Sequence, residues 1–261
     1  MKDANMSQSP LMLVWLERRV WGHLGWRDLK SRYVRTIVGP WWSSANLLTI
    51  VIGSSLAVGL LSKTTTFSQA PRIAIGLSIW TLISASLTEA VEIFEAEKSL
   101  LLNSRFSEGS LVTRVIWRNL LIYAHNMTVV LFVFIISGSS ISLRLLILFP
   151  ISLLVGTGLL LPAYLFARSL FILRDLKVIL PSLIQFVFFL TPILWTPPDS
   201  GPMKLLAELN PAAWVLEFTR QFVFEQHLNS QLAVQLVVFS ALSLVLFNLS
   251  SRSMSSIRRM L

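Results

Sequence analysis

The sequence predicts an all-α polytopic membrane protein with six transmembrane helices, an N-terminal amphipathic interfacial helix and two re-entrant half-helices before the last span. Composition is the first observation, because hydrophobic residues make up 54% of the 261 residues and charged residues only 13%, whereas roughly a quarter of a soluble domain is charged. The second is a set of six apolar stretches, each close to the roughly 20 helical residues that cross about 30 Å of hydrocarbon. These stretches lie at about 44–62, 73–92, 116–137, 145–167, 178–195 and 231–249.

We treat residues 1–261 as one transmembrane domain with four consecutive parts. Residues 1–42 form an N-terminal region on the membrane surface, residues 44–195 hold the first five spans, residues 196–230 form an external segment, and residues 231–261 hold the last span and a tail. Within the fourth stretch, Gly156-Thr157-Gly158 is typical of close helix packing through small residues.

Residues 26–42 are predicted to form the interfacial helix. Helical spacing puts Trp26, Leu29 and Tyr33 on an apolar face. The polar, mainly basic face contains Arg27, Asp28, Lys30, Arg32 and Arg35. A cationic amphipathic helix of this kind typically lies in the membrane interface. Gly39-Pro40 should end it, and Trp41 and Trp42 suit the headgroup level at the start of the first span.

The distribution of basic residues predicts the orientation in the membrane. Of the 22 Lys and Arg residues, 17 fall in the N-terminal region, the tail and the loops on the same side. Because such residues concentrate in cytoplasmic segments, both termini are predicted to be cytoplasmic. The net charge of +9 then favours anionic membrane lipids and a cytoplasmic partner over nucleic acid.

The cytoplasmic segment after the second span contains both acidic and apolar residues. Glu89, Glu92 and Glu95 recur every three residues and share one helix face. One interpretation is a proton relay. We favour the other, in which Glu92 and Glu95 lie at the headgroup level and pair with nearby Arg and Lys residues. Leu100–Leu102 and Phe106 follow on a short projecting helix and turn, and these exposed apolar side chains require a partner to pack against.

The external segment and the fifth span show helix signals interrupted by proline. Pro181 is expected in the first turn of the fifth span, where a missing N–H does little harm. Asn210 is expected to cap a helix that begins at Pro211, after a first short helix at residues 203–209. Each of these two helices is too short to cross the bilayer, so we expect both to dip in from the outer face.

No residue pattern indicates catalysis, a metal site or a cofactor in this chain. There is no phosphate-binding glycine loop, there are no cysteines, and the three histidines are far apart. Energy for any work must then come from another chain. The aromatic residues Trp41, Trp42, Phe188, Phe189 and Trp195 are candidates for a pathway on which sugar rings stack, although belts at the membrane interface and core packing favour the same residues.

Three clusters of residues resemble the type-2 ATP-binding-cassette exporter permeases, nearest to those that move O-antigen, capsular polysaccharide or teichoic acid. The clusters are Trp26-Arg27-Asp28-Leu29-Lys30 through Gly39-Pro40-Trp41-Trp42, Arg174-Asp175-Leu176 with Leu180-Pro181, and Phe188-Phe189-Leu190-Thr191-Pro192 with Asn210-Pro211. The resemblance covers nearly the whole chain. It implies an interfacial N-terminal helix, six spans and re-entrant helices.

The resemblance also implies partners and residue roles. Two copies would form the pathway, and two ATPase subunits that bind ATP and Mg²⁺ would dock below it. The coupling and gate segment would contain Glu95, Lys98, Leu101, Arg105 and Phe106, and the headgroup of a lipid-linked glycan would meet Arg27, Lys30, Arg32, Tyr33 and Arg35. Many relatives have a proline after the loop phenylalanine, whereas here Ser107-Glu108-Gly109 follows Phe106.

We expect, on this basis, a non-enzymatic permease of the bacterial plasma membrane that exports a lipid-linked polysaccharide. The first alternative is a drug or lipid exporter of the same class, which would share the topology. The second is a secondary transporter driven by ions through Glu89 or Glu92.

Overall fold

The computed structural model describes residues 9–34, 36–62, 67–103, 106–170, 173, 175–198, 200–226 and 228–253. These residues form helices and turns, and no strand occurs among them, which confirms the all-α prediction. The ends of both termini lie outside the described residues.

Two helices precede the first span. α1 spans Pro10–Leu16 and α2 spans Arg18–Arg32. The predicted interfacial helix therefore begins earlier than Trp26 and ends at Arg32, well before Gly39. It ends there because the chain turns at Tyr33, whose carbonyl accepts hydrogen bonds from the backbone N–H and the hydroxyl of Thr36.

The next helices are two spans, two short segments and a third span. α3 spans Trp41–Ser62, α4 spans Ala70–Val91, α5 spans Ile93–Ala96, α6 spans Lys98–Asn103 and α7 spans Glu108–Ile136. α7 starts eight residues before the predicted position 116, because Ser107 caps it and accepts a 3.2 Å hydrogen bond from the backbone N–H of Ser110.

The fourth span is built from three consecutive pieces, and the last span is a single helix. A 3₁₀ segment at Leu143–Ile147 leads into α8 at Leu148–Gly158 and α9 at Leu160–Ser169. Further along the chain, four helical segments follow: α10 at Leu176–Leu190, α11 at Pro202–Leu209, α12 at Pro211–Arg220 with a π-helical turn at Gln221–Glu225, and α13 at Ser230–Ser253. Five segments in the described chain are long and apolar enough to cross a membrane: α3, α4, α7, the segment Leu143–Ser169 and α13.

α10 occupies the place of the predicted fifth span but contains only 15 residues. Since a straight span needs about 20 residues, the count of six spans is not confirmed by helix length. Pro181 is the sixth residue of α10 and lies inside the helix, so its predicted place in the first turn is wrong. The helix ends early because Pro192 keeps Thr191 in an extended conformation.

The predicted start of the second external helix is confirmed. The side-chain oxygen of Asn210 accepts a 3.0 Å hydrogen bond from the N–H of Ala212, and Pro211 is the first residue of α12. The Asn210 amide also donates to the hydroxyl of Thr191 at 2.8 Å, which ties α12 to the end of α10. That α11 and α12 enter the membrane from outside stays a prediction.

Small residues allow close packing of α8, as the sequence predicts for Gly156 and Gly158: Gly156 faces Ile116 and Leu120 of α7, and Gly158 faces α13. A Cβ atom at Gly158 would lie 3.1 Å from the Phe239 ring. The hydroxyl of Ser243 donates to the carbonyl of Gly158 at 2.9 Å, and the hydroxyl of Ser240 donates to the carbonyl of Leu154 at 3.0 Å. The last span is thereby fixed to the fourth along their length.

Candidate functional site

α2 is packed against the first half of α7 and does not lie on lipid alone. A Cβ atom at Gly25 would lie 2.9 Å from the Trp117 ring and 3.2 Å from the carbonyl oxygen of Arg114, and Leu29 is 1% exposed. The stripe of α2 that faces the protein therefore contains Gly25 and Leu29, together with Asp28 between them, which the sequence placed on the outward polar face.

Asp28 joins α2 to α7 by two charge-assisted hydrogen bonds. The Nε and Nη2 atoms of Arg114 donate to its two carboxylate oxygens at 2.6 and 2.7 Å. The same guanidinium is 3.0 Å from a carboxylate oxygen of Glu97, in the turn between α5 and α6. Because such paired geometry is strong and directional, the three segments are held in one arrangement.

Glu89, near the end of α4, forms a second group with two arginines. Its two oxygens accept hydrogen bonds from Arg32 at 2.6 Å and from Arg118 at 2.5 Å, and the amide of Asn119 donates at 2.9 Å. Arg118 also lies 3.8 Å from Asp28, which connects both groups. We call this set the ion network; it consists of Asp28, Arg32, Glu89, Glu97, Arg114 and Arg118.

Arg32 is the most solvent-accessible arginine of the ion network, with a side chain that is 41% exposed. Burial lowers the pKa of Arg32, but the carboxylate of Glu89, together with Tyr33 and Asp28, raises this pKa by more, so the net shift is upward. Arg32 therefore stays charged at any physiological pH.

The ion network corrects the predicted pairing of the glutamates. Glu92 and Glu95 are exposed, and neither forms an ion pair within the described part of the chain. The ion pairs form at Glu89 and Glu97 instead, because helix α4 turns Glu89 toward α7 and the turn after α5 brings Glu97 beside Arg114.

A polar cavity of about 340 Å³ adjoins the ion network, between α4, α7 and α10. Arg32 and Tyr33 lie at its border. Its wall combines apolar residues, such as Trp80, Leu82 and Ile184, with hydroxyl and amide groups that include Thr81, Ser84, Thr88, Asn119, Asn126 and Gln185. Arg32 belongs to both the cavity and the ion network, and Asn119, which also lines the cavity, donates a hydrogen bond to Glu89 of that network. A fixed cation thus borders a space that offers several neutral hydrogen-bonding groups.

Only some of the residues predicted to bind the headgroup lie at the polar cavity. Arg32 and Tyr33 line the polar cavity. Arg27 and Lys30 are exposed on the other side of α2, where the Lys30 ammonium lies 5.3 Å from the centre of the Trp26 ring. Arg35 lies outside the described residues.

The predicted coupling segment is partly buried within the chain itself. Leu101 is 0% exposed and Phe106 is 8% exposed, while Leu102 is 47% exposed. The expectation that all these apolar side chains require an external partner is therefore wrong for Leu101 and Phe106, which pack into the core. Glu95 and Lys98 are exposed, and Arg105 lies outside the described residues.

Ser107 and Gly109, which follow Phe106 where many relatives have a proline, both make specific contacts in the structure. Both the N–H and the hydroxyl of Ser107 donate to a carboxylate oxygen of Glu17, at 3.1 and 2.9 Å, and a proline could not supply that N–H. A Cβ atom at Gly109 would lie 2.7 Å from the Phe247 ring. The start of α7 is thereby fixed to both α1 and α13.

The five predicted pathway aromatics do not line a single conduit in one chain. Trp41 and Trp42 are 48% and 53% exposed, and Phe189 is 64% exposed. Phe188 packs on Trp80, with ring centroids 5.6 Å apart, and Trp80 itself lines the polar cavity. The indole N–H of Trp195 donates to the carbonyl of Phe189 at 3.2 Å.

Sequence reasoning did not single out Asp28, Glu97, Arg114 or Arg118 as site residues. A usable signal was present, since Arg114 and Arg118 are four residues apart on one face of a largely apolar helix, where charged residues are functional suspects.

As for metals, no group of three His, Asp or Glu side chains within the described ranges is placed to hold an ion.

Residues 19–224, most of the chain, match the ABC-2 type transporter family. The chain belongs to this family. The match runs from α2 to the π-helical turn and so includes the ion network and the polar cavity. An ABC-2 chain is the transmembrane component of an ABC-type transporter and works with ATP-binding cassette subunits. A search of curated proteins finds no match to the chain.

Proposed function

We propose that this ABC-2 chain is the permease subunit of an ATP-driven exporter that moves a lipid-linked polysaccharide across the bacterial plasma membrane. The observation that carries the proposal is the position of Arg32, which borders a cavity whose wall contains several hydroxyl and amide groups beside apolar residues. A guanidinium is suited to a phosphate headgroup, and neutral hydrogen-bonding groups are suited to the hydroxyls of a sugar. A pocket for an apolar drug would be lined mainly by hydrophobic side chains.

The proposed assembly contains two copies of this chain and two ATPase subunits, which bind the ATP and Mg²⁺. In this arrangement α10 serves as the fifth span, α11 and α12 dip in from the outer face, and both termini are cytoplasmic. The exposed apolar side chains of α10, such as Val178, Phe186 and Phe189, would then meet lipid or the second copy.

Coupling in this proposal passes through the ion network. The ATPase subunit contacts Lys98 and Arg105 in the segment from Glu95 to Phe106, while Leu101 and Phe106 anchor that segment in the core. Movement of the segment reaches α7 and α2 through the hydrogen-bonded series Glu97, Arg114 and Asp28. Because α2 carries Arg32, the border of the polar cavity moves with it.

Headgroup binding in this proposal exchanges one partner of Arg32 for another. A phosphate group competes with Glu89 for the Arg32 guanidinium, and Glu89 keeps Arg118 and Asn119 as partners. The exchange leaves no buried charge without a counter-charge, which keeps its energetic cost small.

The test replaces Arg32 with alanine and uses Arg27→Ala as the matched control, since Arg27 lies on the same helix but is exposed and outside the cavity. The complex with its ATPase subunit is purified, and export of the lipid-linked glycan and ATP turnover are measured in proteoliposomes. We expect Arg32→Ala to lower export about tenfold or more, the value of one charge-assisted hydrogen bond, with assembly intact. Arg27→Ala should export at close to the native rate.

Unchanged export in Arg32→Ala would reject the headgroup role. A complex that transports an apolar drug but no glycan would favour the alternative exporter of this class. A chain that purifies without any ATPase and exchanges ions would overturn the whole proposal.

A further inference from the structure

A second cavity lies at the end of α4 opposite the ion network, and two arginines line it. Its volume is about 250 Å³, and Arg72 and Arg220 share its wall with Gln69, Trp195 and Thr196. We propose that this cavity, here called the arginine cavity, binds a phosphate-type anion at the outer end of the spans. The proposal uses only α3, α4, α12 and the turn after α10, so it holds whichever substrate the polar cavity accepts.

Arg220 is a buried cation that lacks a counter-charge at ion-pair distance. It is 3% exposed, and its Nη1 and Nη2 atoms donate to the carbonyls of Pro192 and Ile193 at 2.5 and 2.8 Å. The Nε atom has no hydrogen-bond partner. Across the described residues, no carboxylate lies within 4.0 Å of this guanidinium. The carbonyls accept hydrogen bonds from two of its three nitrogen atoms but do not neutralise its charge, which makes the site favourable for an anion.

Arg72 adds a second positive charge to the same wall. It lies in the first turn of α4, 5.8 Å from the centre of the Phe224 ring, and it too makes no ion pair in the described chain. The nearest acidic side chain in α12, Glu217, already accepts a 2.8 Å hydrogen bond from Gln221. Two like charges at one cavity repel each other, and a shared phosphate removes that repulsion through the planar donor geometry of both guanidinium groups.

The apolar part of the wall favours a phosphate that belongs to a lipid. Val58 and Ile73 line the cavity beside the arginines. Leu60 and Leu61, at the same end of α3, are 77% and 85% exposed. A phospholipid could therefore place its headgroup between the arginines and its acyl chains along α3. Inorganic phosphate offers the same anion chemistry without the chains.

The experiment measures binding to the full transporter complex in neutral detergent, by native mass spectrometry and by the shift in Tm. The probes are inorganic phosphate, phosphatidylglycerol and, as the neutral lipid, phosphatidylcholine. Arg72→Gln is the test variant, because Arg220 also holds the turn at residues 192–193. Arg144→Gln is the matched control, since Arg144 is an arginine outside the cavity.

We expect the native complex to bind phosphatidylglycerol more tightly than phosphatidylcholine. Arg72→Gln should weaken binding of the anionic lipid about tenfold, and Arg144→Gln should leave it unchanged. Arg72→Lys should keep part of the affinity, because it retains the charge and loses the paired donors. Competition by inorganic phosphate would indicate a site for free anions as well as lipid, and its absence would indicate a site that needs the acyl chains.

Equal affinity of the native complex and Arg72→Gln for the anionic lipid overturns the proposal, as does an equal loss in Arg72→Gln and Arg144→Gln. The Tm of each variant without ligand separates these results from misfolding. If Arg72→Gln proves unstable, the same comparison is made between Arg72→Lys and Arg144→Lys, and equal affinities then carry the same negative conclusion.

Discussion

At the scale of single residues, Asp28 has a structural role that the sequence around it does not reveal. Its neighbours Arg27 and Lys30 point away from the protein, whereas its own carboxylate is 15% exposed and bonded to Arg114. The difference comes from helix geometry, because residue 28 lies beside Gly25 and Leu29 on the stripe that packs against α7. A mutation at Asp28 therefore tests the ion network more sharply than one at any exposed charge of α2.

We predict that Asp28→Asn destabilises the chain by about 1.5–3 kcal/mol, the range for a hydrogen bond to a charged group. The change keeps the shape of the side chain but leaves Arg114 with only the carboxylate of Glu97 nearby. The free energy of unfolding is measured by titration with a denaturing detergent in mixed micelles. Glu92→Gln, an equivalent loss of charge at an exposed glutamate, should change it by less than about 0.5 kcal/mol. Equal effects of both variants would show that the network adds no stability.

At the scale of the helix, the contact between α2 and α7 depends on the absence of a side chain at one glycine. Gly25 meets the Trp117 ring and the Arg114 backbone, whereas a Cβ atom at Gly22, one turn earlier, would meet nothing within 4 Å. The two positions share helix, neighbourhood and residue type. They differ only in the surface they face, which makes them a matched pair.

Gly25→Ala is expected to destabilise the chain by about 1–3 kcal/mol, because the backbone of α7 cannot yield to the added methyl group and the helices must separate. Gly22→Ala should instead be neutral or stabilise it by up to about 1 kcal/mol, since alanine favours helix. Both values follow from the same detergent titration. Export should fall with Gly25→Ala in particular, since Arg32 would move with α2, and a Gly25→Ala protein as stable and active as Gly22→Ala would contradict the close packing.

Local patterns in the sequence predicted the elements well where the signal was local. Residues close together in the sequence were enough to predict the cap at Asn210 and the close helix approach at Gly158. They were also enough to predict four of the five spans identified by length. The predicted start of α7 at residue 116 is too late, because the charged Arg114 and, four residues further on, Arg118 interrupt the apolar pattern there. Their partners come from positions up to 86 residues away in the chain, and such pairings cannot be inferred from spacing along one helix.

At the scale of the whole molecule, the number of spans decides on which side of the membrane the C-terminal part of the chain lies. With six spans the two termini share one side, and in the predicted orientation the ion network faces the cytoplasm and the arginine cavity faces outside. With α10 failing to cross, the two termini would be on opposite sides. The early end at Leu190 makes α10 short, although local thinning of the bilayer accommodates short spans at modest cost.

The absence of cysteine from the sequence allows single introduced thiols to settle this topology. We predict that Ser140→Cys and Ser200→Cys react with a membrane-impermeant maleimide in intact cells, and that Ser99→Cys reacts only after permeabilisation. All three positions are exposed, and they follow α7, α10 and α5, respectively. Ser140 and Ser99 fix the two sides of the membrane independently of α10. A thiol at position 200 that behaves like position 99 would mean that α10 does not cross, and this would contradict the placement of Trp195 and Thr196 beside Arg72 in the arginine cavity.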